Sequence, residues 1–287
     1  MADMDPLKSL EDDGLAIPEI GAWGEDKYRL VSYYASLFVS SIRDRWDALV
    51  YLDMFAGSGY SRIRGSVRIV SASPLQVLRL AYHFDKYVFC EENDENARAL
   101  KDRCARLYPD SKVTVIPGDS NKLVNKILSE MPQPSHGYKV LVFCFLDPFY
   151  MRNLKFATII ALSKRFMDFL VLIPSGMDAN RNEQNYVRED NTTLDDFLGT
   201  REWRARWQQA KSNGRSFENF VVNEFGRSME GIGYIDPGIE SAAPVRSDDR
   251  NLLLYRLALY SKHPLANKFW KETKKYTNPQ MGFDFLG

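Results

Sequence analysis

Acidic residues follow short apolar runs at four points along this sequence of 287 residues. Asp53 ends the first run, and Glu91, Asp119 and Asp147 stand at the ends of the next three. Carboxylates accept hydrogen bonds from hydroxyl and amino groups. Ligands of open parallel sheets bind beyond the carboxyl ends of the strands. Acids in these positions therefore predict a site for a ligand that carries hydroxyl and amino groups.

The first acid opens a glycine-rich turn, D-M-F-A-G-S-G at residues 53–59. Glycine adopts positive φ angles and lets the backbone approach a ligand closely. Because this turn directly follows an apolar run and an acid, it favours ligand binding over a purely structural turn. The predicted contacts with the ligand are Asp53, Phe55, Ala56, Gly57 and Gly59.

The second and third acids suit the parts of a nucleoside. Glu91 stands where a carboxylate accepts hydrogen bonds from a ribose diol, although an insertion at residues 60–72 lengthens the usual spacing of about 20 residues from the glycine turn. Asp119, followed by Ser120, can accept a hydrogen bond from an adenine amino group. Taken singly, each acid also fits a helix cap or a solvated charge at a helix start. The order of all four acids predicts nucleoside binding.

The fourth acid begins the segment D-P-F-Y at residues 147–150. A rigid Asp-Pro turn holds hydrogen-bond acceptors in fixed positions, and an aromatic residue beside it can stack on a planar group. This combination suits an amino group on a base, and a structural turn with buried aromatic rings is the alternative. We predict that Asp147, Pro148, Phe149 and Tyr150 contact a second molecule.

The apolar runs alternate with helical patterns, which predicts an α/β fold. The predicted strands are residues 48–53, 86–90, 113–116, 140–146, 168–173, 234–239 and 252–261. The main predicted helices are residues 24–46, 73–82, 94–108, 123–131, 155–166, 216–228 and 265–273. The most hydrophobic run, 140–146, belongs near the sheet centre. The expected architecture is a mostly parallel seven-stranded sheet flanked by helices.

The polar residues 1–23 predict an N-terminal arm, and residues 24–287 predict a single Rossmann-like domain. Two segments interrupt the alternation within this domain. Residues 60–72 suit a short hairpin. Residues 174–215 are polar and contain short helical pieces, which predicts a helical lid on the substrate side.

These motifs, in this order, resemble the class I S-adenosylmethionine-dependent methyltransferases. Residues 53–59 resemble their first motif, Glu91 matches their ribose-binding acid, and Asp119 matches the acid that reads adenine. Residues 147–150 occupy the motif that reads Asp-Pro-Pro-Tyr in amino-methyltransferases, with Phe149 in place of the second proline. The resemblance implies a Rossmann-like methyltransferase fold and S-adenosylmethionine as the cofactor.

Across nearly the whole chain, the sequence more closely resembles the bacterial three-Cys-motif partner family. The resemblance rests on Trp23 with Lys27 and on residues 51–57, 73–75, 147–148, 173–174 and 260–265. The family is named for a genomic neighbour with three cysteines, which resembles a radical-S-adenosylmethionine protein. This resemblance implies the same fold and a three-Cys-motif protein as a candidate partner.

On the methyltransferase resemblance, Asp147 orients or deprotonates the acceptor and Tyr150 stacks on it, so these two residues are the predicted catalytic pair. Such an enzyme acts mainly by positioning the nucleophile and excluding water. The expected substrate is nucleic acid, methylated on a base. Two alternatives stay open. One is methylation of a small molecule or a protein, and the other is a partner protein without methyl transfer of its own.

Basic residues near the glycine turn favour the nucleic-acid alternative. Arg62, Arg64 and Arg68 alternate within the insertion, so an extended segment would direct them to one side, where they could hold phosphates. Lys27 lies one helical turn from Trp23, on the same face. We predict substrate contacts from Lys27, Arg62 and Arg64, with a solvated loop and simple core packing as the alternatives.

The whole-chain properties exclude several classes of protein. The formal net charge is zero, so any nucleic-acid binding needs a local patch. The lysine-rich residues 262–276, with the aromatic residues Trp270 and Tyr276, could bind single-stranded nucleic acid, and an amphipathic helix with a wet face is the alternative. Three dispersed cysteines and no visible signal peptide predict a cytoplasmic protein with free thiols. Apolar runs are shorter than the roughly 20 residues that span a bilayer. Scattered histidines and cysteines predict no metal site, and Arg62 takes the third glycine position of a dinucleotide-binding turn.

Overall fold

Seven strands form one central sheet. The computed structural model describes residues 9–247 and 251–275, which contain the strands β1 (Glu19–Ile20), β2 (Ala48–Asp53), β3 (Tyr60–Ile63), β4 (Ile69–Ser71), β5 (Lys86–Glu91), β6 (Val113–Pro117), β7 (Val140–Leu146), β8 (Met167–Ile173), β9 (Ala243–Arg246) and β10 (Leu253–Tyr260). The central sheet has the order β6-β5-β2-β7-β8-β10-β9. Its first five strands are parallel, whereas β10 runs antiparallel to β8 and β9 antiparallel to β10. This is the Rossmann-like, class I methyltransferase fold predicted from the sequence.

The central position of β7 explains its composition. Its sequence is V-L-V-F-C-F-L, and it pairs in parallel with β2 on one side and β8 on the other. A parallel strand covered by helices on both faces needs apolar side chains at every position rather than at alternate ones. The prediction that residues 140–146 lie near the sheet centre is confirmed.

Helices cover both faces of the sheet. In the described residues they are α1 (Trp23–Ile42), α2 (Ser73–Leu78), α3 (Asp94–Leu107), α4 (Val124–Ser129), α5 (Phe156–Leu162), α6 (Asn180–Tyr186), α7 (Thr193–Leu198), α8 (Trp203–Ser212), α9 (Phe217–Gly231) and α10 (Pro264–Lys275). Apolar residues of α1, α2, α3 and α10 form one core layer with the sheet. Apolar residues of α4 to α9 form the second layer on the opposite face.

A small second sheet attaches the N-terminal arm to the body of the protein. β3 and β4 pair antiparallel, so residues 60–72 do contain the predicted hairpin. β1 adds to this hairpin in parallel, with Glu19 opposite Arg62 and Ile20 opposite Ile63. The arm thereby lies against the segment that directly follows the glycine turn. We call residues 9–22 the strap.

The predicted strand at residues 234–239 is wrong. Ile235 makes only an isolated bridge to Ser261, and the strand that pairs with β10 lies later, at Ala243–Arg246. Pro237 has no backbone N–H to donate, and Gly238 adopts a φ of 73° that turns the chain. The segment is apolar because Tyr234 packs into the hydrophobic core, and not because it forms a strand.

Across residues 9–247 and 251–275, every helix is too short or too polar to cross a lipid bilayer. Within the same ranges, no group of three His, Cys, Asp or Glu side chains is arranged to hold a metal ion.

Candidate functional site

The ends of four parallel neighbours lie side by side at one edge of the sheet. In sheet order these strands are β6, β5, β2 and β7. The segments that follow them carry Asp119, Glu91, the glycine turn at residues 53–59, and Asp147. Neighbouring strands are about 4.8 Å apart, so this row spans about 14 Å. The topology therefore brings the four acidic segments into one line.

The two glycines of the turn have different surroundings. Gly57 has a φ of 64°, and a Cβ atom added there would meet no atom within 4 Å, so the backbone faces open space. Gly59 has a φ of 86°, but a Cβ atom there would lie 3.0 Å from side-chain atoms of both Leu75 and Leu100. Gly57 is thus available to a ligand, whereas Gly59 allows α2 and α3 to pack closely against the turn.

Glu91 is tied directly to the glycine turn. Its carboxylate accepts a hydrogen bond of 2.7 Å from the backbone N–H of Gly57 and one of 2.9 Å from that of Asn93. The residue is half-buried. Each carboxylate oxygen has a further lone pair, so Glu91 can still accept hydrogen bonds from a diol beside Gly57.

Asp119 keeps an ionised carboxylate at the end of the row. It accepts hydrogen bonds from the backbone and side-chain amides of Asn121, at 2.9 and 3.1 Å. Partial burial would raise its pKa, but these hydrogen bonds outweigh burial and place the pKa below the ordinary value. The neighbouring Ser120 is buried.

Asp53 supports the turn from inside the protein. It is fully buried, and it accepts hydrogen bonds from the Ser73 hydroxyl at 2.7 Å and from the backbone N–H of Phe55 at 3.1 Å. Burial raises the pKa of Asp53 to about 7, despite these two hydrogen bonds. Through these contacts Asp53 positions the glycine turn, and its predicted contact with the ligand stays a prediction.

The Asp147 carboxylate is paired with a lysine from the first helix. The Nζ atom of Lys27 lies 2.5 Å from Oδ2 of Asp147, and both side chains are largely buried. The same ammonium lies over the rings of Tyr28 and Trp23, at 4.7 and 5.4 Å from their centres. Burial is the largest single effect and lowers the pKa of Lys27, but the charge and hydrogen bond of Asp147 together with the charges of Tyr28 and Asp53 outweigh it, and the net shift is upward. Lys27 is therefore a charged, firmly held partner of Asp147.

A cavity of about 160 Å³ lies between the glycine turn, this ion pair and the strap. We call it the glycine-turn cavity. The predicted site residues that line it are Lys27, Phe55, Ala56, Gly57, Arg64, Asp147 and Phe149. The predicted site residues outside its lining are Asp53, Gly59, Arg62, Glu91, Asp119, Ser120, Pro148 and Tyr150. Of these, Glu91 and Asp119 lie further along the same sheet edge.

The strap, rather than the segment predicted as a lid, closes this cavity in the structure. Pro18, Glu19, Ile20 and Gly21 form part of its wall. Among the side chains that the structure describes in residues 174–215, none lines it. That segment forms α6, α7 and α8 and buries aromatic residues in the core of the opposite face. A lid role for residues 174–215 stays a prediction.

Arg103 anchors the strap, a role that the sequence reasoning missed. Its guanidinium is fully buried, pairs with Asp13 at 2.6 Å, and donates to the carbonyl groups of Ala16 and Ser58. One side chain of α3 thus joins the strap to the backbone of the glycine turn. The hydrogen bond from Arg103 is the main reason why the pKa of Asp13 lies far below its ordinary value. An arginine on the otherwise apolar face of α3 was the available signal.

The arginines of the hairpin separate into paired and free groups. Arg62 pairs with Asp12 at 2.7 Å, and Arg68 pairs with Glu25. Arg64 is exposed and lines the cavity, and it has no ion pair within the described residues. Of these three hairpin arginines, Arg64 is thus the one that presents a positive charge without an ion pair among the described residues.

An aromatic surface lies at the mouth of the cavity. Phe149 is 55% exposed although it is a large apolar residue. Its ring meets that of Tyr150 edge to face, with 4.6 Å between the centres. The Arg152 guanidinium covers the Tyr150 ring at 4.5 Å. Pro148 is buried beneath them. This arrangement offers an exposed ring face beside Asp147.

The lysine-rich C-terminal segment does not offer the predicted aromatic surface. Trp270 is fully buried in α10 and donates a hydrogen bond of 2.8 Å to the carbonyl of Ser241. Tyr276 lies outside the described residues. The alternative interpretation of an amphipathic helix with a wet basic face agrees with this packing.

No protein-family model and no curated protein matches the sequence. The fold is similar to that of protein LPL1258 from Legionella pneumophila, with 12% identity, a TM-score of 0.46, and 87% of this chain and 92% of that chain covered. It is also similar to Trm1 from Pyrococcus horikoshii with S-adenosyl-L-methionine, with 10% identity, a TM-score of 0.44, and 94% and 64% covered. An O-methyltransferase from Bacillus cereus in complex with SAH has 13% identity, a TM-score of 0.40, and 80% of each chain covered. These likenesses concern the fold alone.

Proposed function

We propose that this protein is an S-adenosylmethionine-dependent methyltransferase. The observation that carries the proposal is the order of the strand ends along the sheet edge: Asp119, Glu91, Gly57 and Asp147. Asp119 can accept a hydrogen bond from an amino group, and Glu91 can accept hydrogen bonds from a diol. Gly57 offers an open backbone turn, and Asp147 is an acid beside an aromatic ring. This is the order of adenine, ribose, methionine chain and acceptor in a complex of that cofactor. The row of about 14 Å suits such an elongated ligand.

The residues present fit the methionine chain and the ribose of the cofactor. The backbone of Gly57 faces a space that a side chain would fill, and Glu91 is held beside it by the N–H of Gly57. The glycine-turn cavity, at about 160 Å³, is smaller than the pockets of about 300–1,000 Å³ that bury whole ligands. We therefore propose that the adenosine part lies along the carboxyl ends of the strands beside Glu91 and Asp119, and the methionine part in the cavity under the strap.

The cofactor, when bound, supplies a methyl group that is activated on a sulfonium. The chain has to place the acceptor atom and exclude water. Oδ2 of Asp147 is held by Lys27, which leaves Oδ1 to accept a hydrogen bond from the acceptor and to receive its proton. The strap covers the reacting centre on the side of Lys27 and Gly57.

For the acceptor, we propose a nucleic-acid base. The support is the exposed Phe149 ring beside Asp147 together with the free Arg64 across the cavity. A ring face binds a flipped-out or single-stranded base, and a free arginine binds its phosphate. A planar small molecule with an anionic group would use the same two residues and is the alternative acceptor.

A second candidate function is a partner protein for a three-Cys-motif protein, without methyl transfer of its own. It is motivated by the sequence resemblance, and one observation favours it. The Asp147 carboxylate is already engaged by the buried Lys27, which a protein that binds no acceptor would tolerate. The two candidates differ in whether the protein releases S-adenosylhomocysteine in the presence of any acceptor.

The first test is calorimetric titration of the full chain with S-adenosylmethionine. We expect binding by the wild type and no binding by Gly57→Arg, because the added side chain enters the cavity. The matched control is Gly65→Arg, since Gly65 also has a positive φ and open surroundings but lies in the hairpin turn. Absence of binding by the folded wild type, or unchanged binding by Gly57→Arg, would contradict the proposal.

A further inference from the structure

A second, larger cavity lies at the opposite end of the sheet. Its volume is about 440 Å³, within the range of about 300–1,000 Å³ that is usual for small-molecule sites. It is bounded by the first residues of β7 and β8, the second half of α1 and the start of α10. We call it the distal cavity. The glycine-turn cavity lies beyond the carboxyl ends of the parallel strands, where ligands of such sheets bind. The distal cavity lies at the amino ends of β7 and β8 and is therefore separate from it.

One buried carboxyl group faces the distal cavity. Asp168 is the second residue of β8 and is only 8% exposed. Side chains alternate between the two faces of a strand. Asp168 shares the face of Leu170, which packs with the core layer of α1 and α10. The Ser261 hydroxyl, which also lines the cavity, donates a hydrogen bond to it.

A second polar group in the cavity wall has no partner. Tyr34 is fully buried, and its hydroxyl forms no hydrogen bond with any described residue. A buried hydroxyl without a partner is unfavourable, so a ligand that supplies one gains affinity. Tyr34 and Asp168 both line the distal cavity. One ligand in this cavity can therefore lie against both side chains.

The remaining wall is largely aromatic. Phe38, Trp46, Phe166 and Phe269 line the cavity, and the Trp46 and Phe166 rings lie 5.7 Å apart. Aromatic faces attract cations as well as apolar groups. A carboxyl group surrounded by such faces is a common way to bind an ammonium group with an apolar substituent.

The other charged groups at this cavity lie at its rim. Arg45 is exposed at the end of α1. The ammonium of Lys262 lies over the Tyr234 ring at 4.9 Å and donates a hydrogen bond of 3.4 Å to the carbonyl of Ser163. His263 is exposed and accepts a hydrogen bond from the N–H of Leu265 through Nδ1. The charge that a buried ligand meets is therefore that of Asp168.

We propose that the distal cavity binds a small amphipathic amine, with its ammonium between Asp168 and the Tyr34 hydroxyl and its apolar part against the aromatic wall. Both oxygens accept hydrogen bonds from an ammonium group, which supplies the buried carboxylate with a cation and the hydroxyl with a partner. The site does not depend on the methyltransferase activity.

The test uses calorimetric titration of the full chain with three probes of one shape: 2-phenylethylamine, 2-phenylethanol and 3-phenylpropionate. A charge-assisted hydrogen bond is worth about 1.5–3 kcal/mol, so we expect the amine to bind at least about tenfold more tightly than the alcohol. Burial raises the pKa of Asp168 to about 7. Binding of the amine should therefore strengthen about tenfold from about pH 6 to pH 8 as Asp168 ionises.

Asp168→Asn should abolish the preference for the amine, and Tyr34→Phe should weaken amine binding severalfold. Ala266→Leu narrows the cavity without changing its charge and should weaken all probes, which keeps the test valid if Asp168→Asn does not fold. Equal binding of amine and alcohol by the wild type would overturn the proposal. Preferred binding of 3-phenylpropionate would overturn it as well and would assign the site to the cationic rim.

Discussion

The ammonium of Lys27 and the carboxylate of Asp147 form an ion pair of 2.5 Å. The two residues are 120 positions apart in the sequence. The pair joins the first turn of α1, which follows the strap, to the segment that follows the central strand β7. The helix that directly follows the strap is therefore connected electrostatically to the acid proposed to face the acceptor.

Removing either partner of this pair should destabilise the protein, and the two single variants should lose different amounts of unfolding free energy. Removing one partner of a buried pair leaves an uncompensated charge and costs about 3–5 kcal/mol. Asp147→Asn should cost more than Lys27→Met, because the Lys27 side chain is 6% exposed and that of Asp147 13%. The measurement is the free energy of unfolding in urea for both variants and for the double variant. The double variant should lose at least about 1 kcal/mol less than the sum, and strict additivity would show that the pair contributes nothing.

Arg103 should hold the strap in place, and Arg106 provides a matched control. Both guanidinium groups contact the carboxylate of Asp13, but Arg103 is fully buried whereas the Arg106 side chain is 52% exposed. Arg103→Met should destabilise the protein by about 3 kcal/mol, and Arg106→Met by less than about 1 kcal/mol. Hydrogen exchange in residues 9–22 should accelerate in Arg103→Met only. Equal acceleration in both variants would show that the anchor is not specific to Arg103.

Asp53 should make the stability of the protein fall as the pH rises towards neutrality. Burial raises its pKa in the folded state from 3.8 to about 7. The folded protein then keeps a proton that the unfolded chain releases near pH 4, so the contribution of Asp53 to stability declines from about pH 4 to about pH 7. Asp53→Asn removes this titration. Between about pH 5 and pH 7, the variant should lose about 2 kcal/mol less unfolding free energy than the wild type. Parallel curves for the two proteins would refute the shift.

Arg64 should contribute to binding of nucleic acid through a phosphate, whereas Arg62 should not. The guanidinium of Arg62 is compensated by Asp12, but Arg64 lines the glycine-turn cavity and is exposed. The measurement is fluorescence anisotropy with a single-stranded RNA between about 50 and 200 mM salt. Arg64→Ala should weaken binding and reduce the slope of log affinity against log salt by about 1. An equal effect of Arg62→Ala would assign the salt dependence to the hairpin in general.

Phe149 should supply a stacking surface for the acceptor base. Stacking of a base on an aromatic side chain is worth about 1–3 kcal/mol, so Phe149→Ala should weaken RNA binding about tenfold or more. Phe166→Ala is the control, because Phe166 is also exposed, at 63%, but lies at the distal cavity. Phe149→Tyr should restore the affinity. If both alanine variants bind RNA like the wild type, the planar acceptor does not stack at residue 149.

Local sequence patterns predicted most strands of the central sheet and the acids at their ends, whereas the spatial order of these acids follows from the strand order of the folded sheet. The strands at residues 48–53 and 140–146 have the predicted bounds, because an unbroken apolar run followed by a turn fits a buried parallel strand and little else. The same reasoning failed at residues 234–239. There Tyr234 is buried in the core although the segment does not pair as a strand of the sheet, and the chain turns at Gly238.

The tertiary structure alone decided which partner each charged side chain has. Nothing in the spacing of Lys27 and Asp147, or of Arg103 and Asp13, indicates that they meet. The same holds for Arg62 and Arg64, which have the same residue type and alternate in the sequence, yet only Arg62 is paired with an acid. An apolar run selects its secondary structure through neighbours in the chain, whereas the strength of an ion pair depends on distance and burial. Those two quantities exist only after distant segments have packed together.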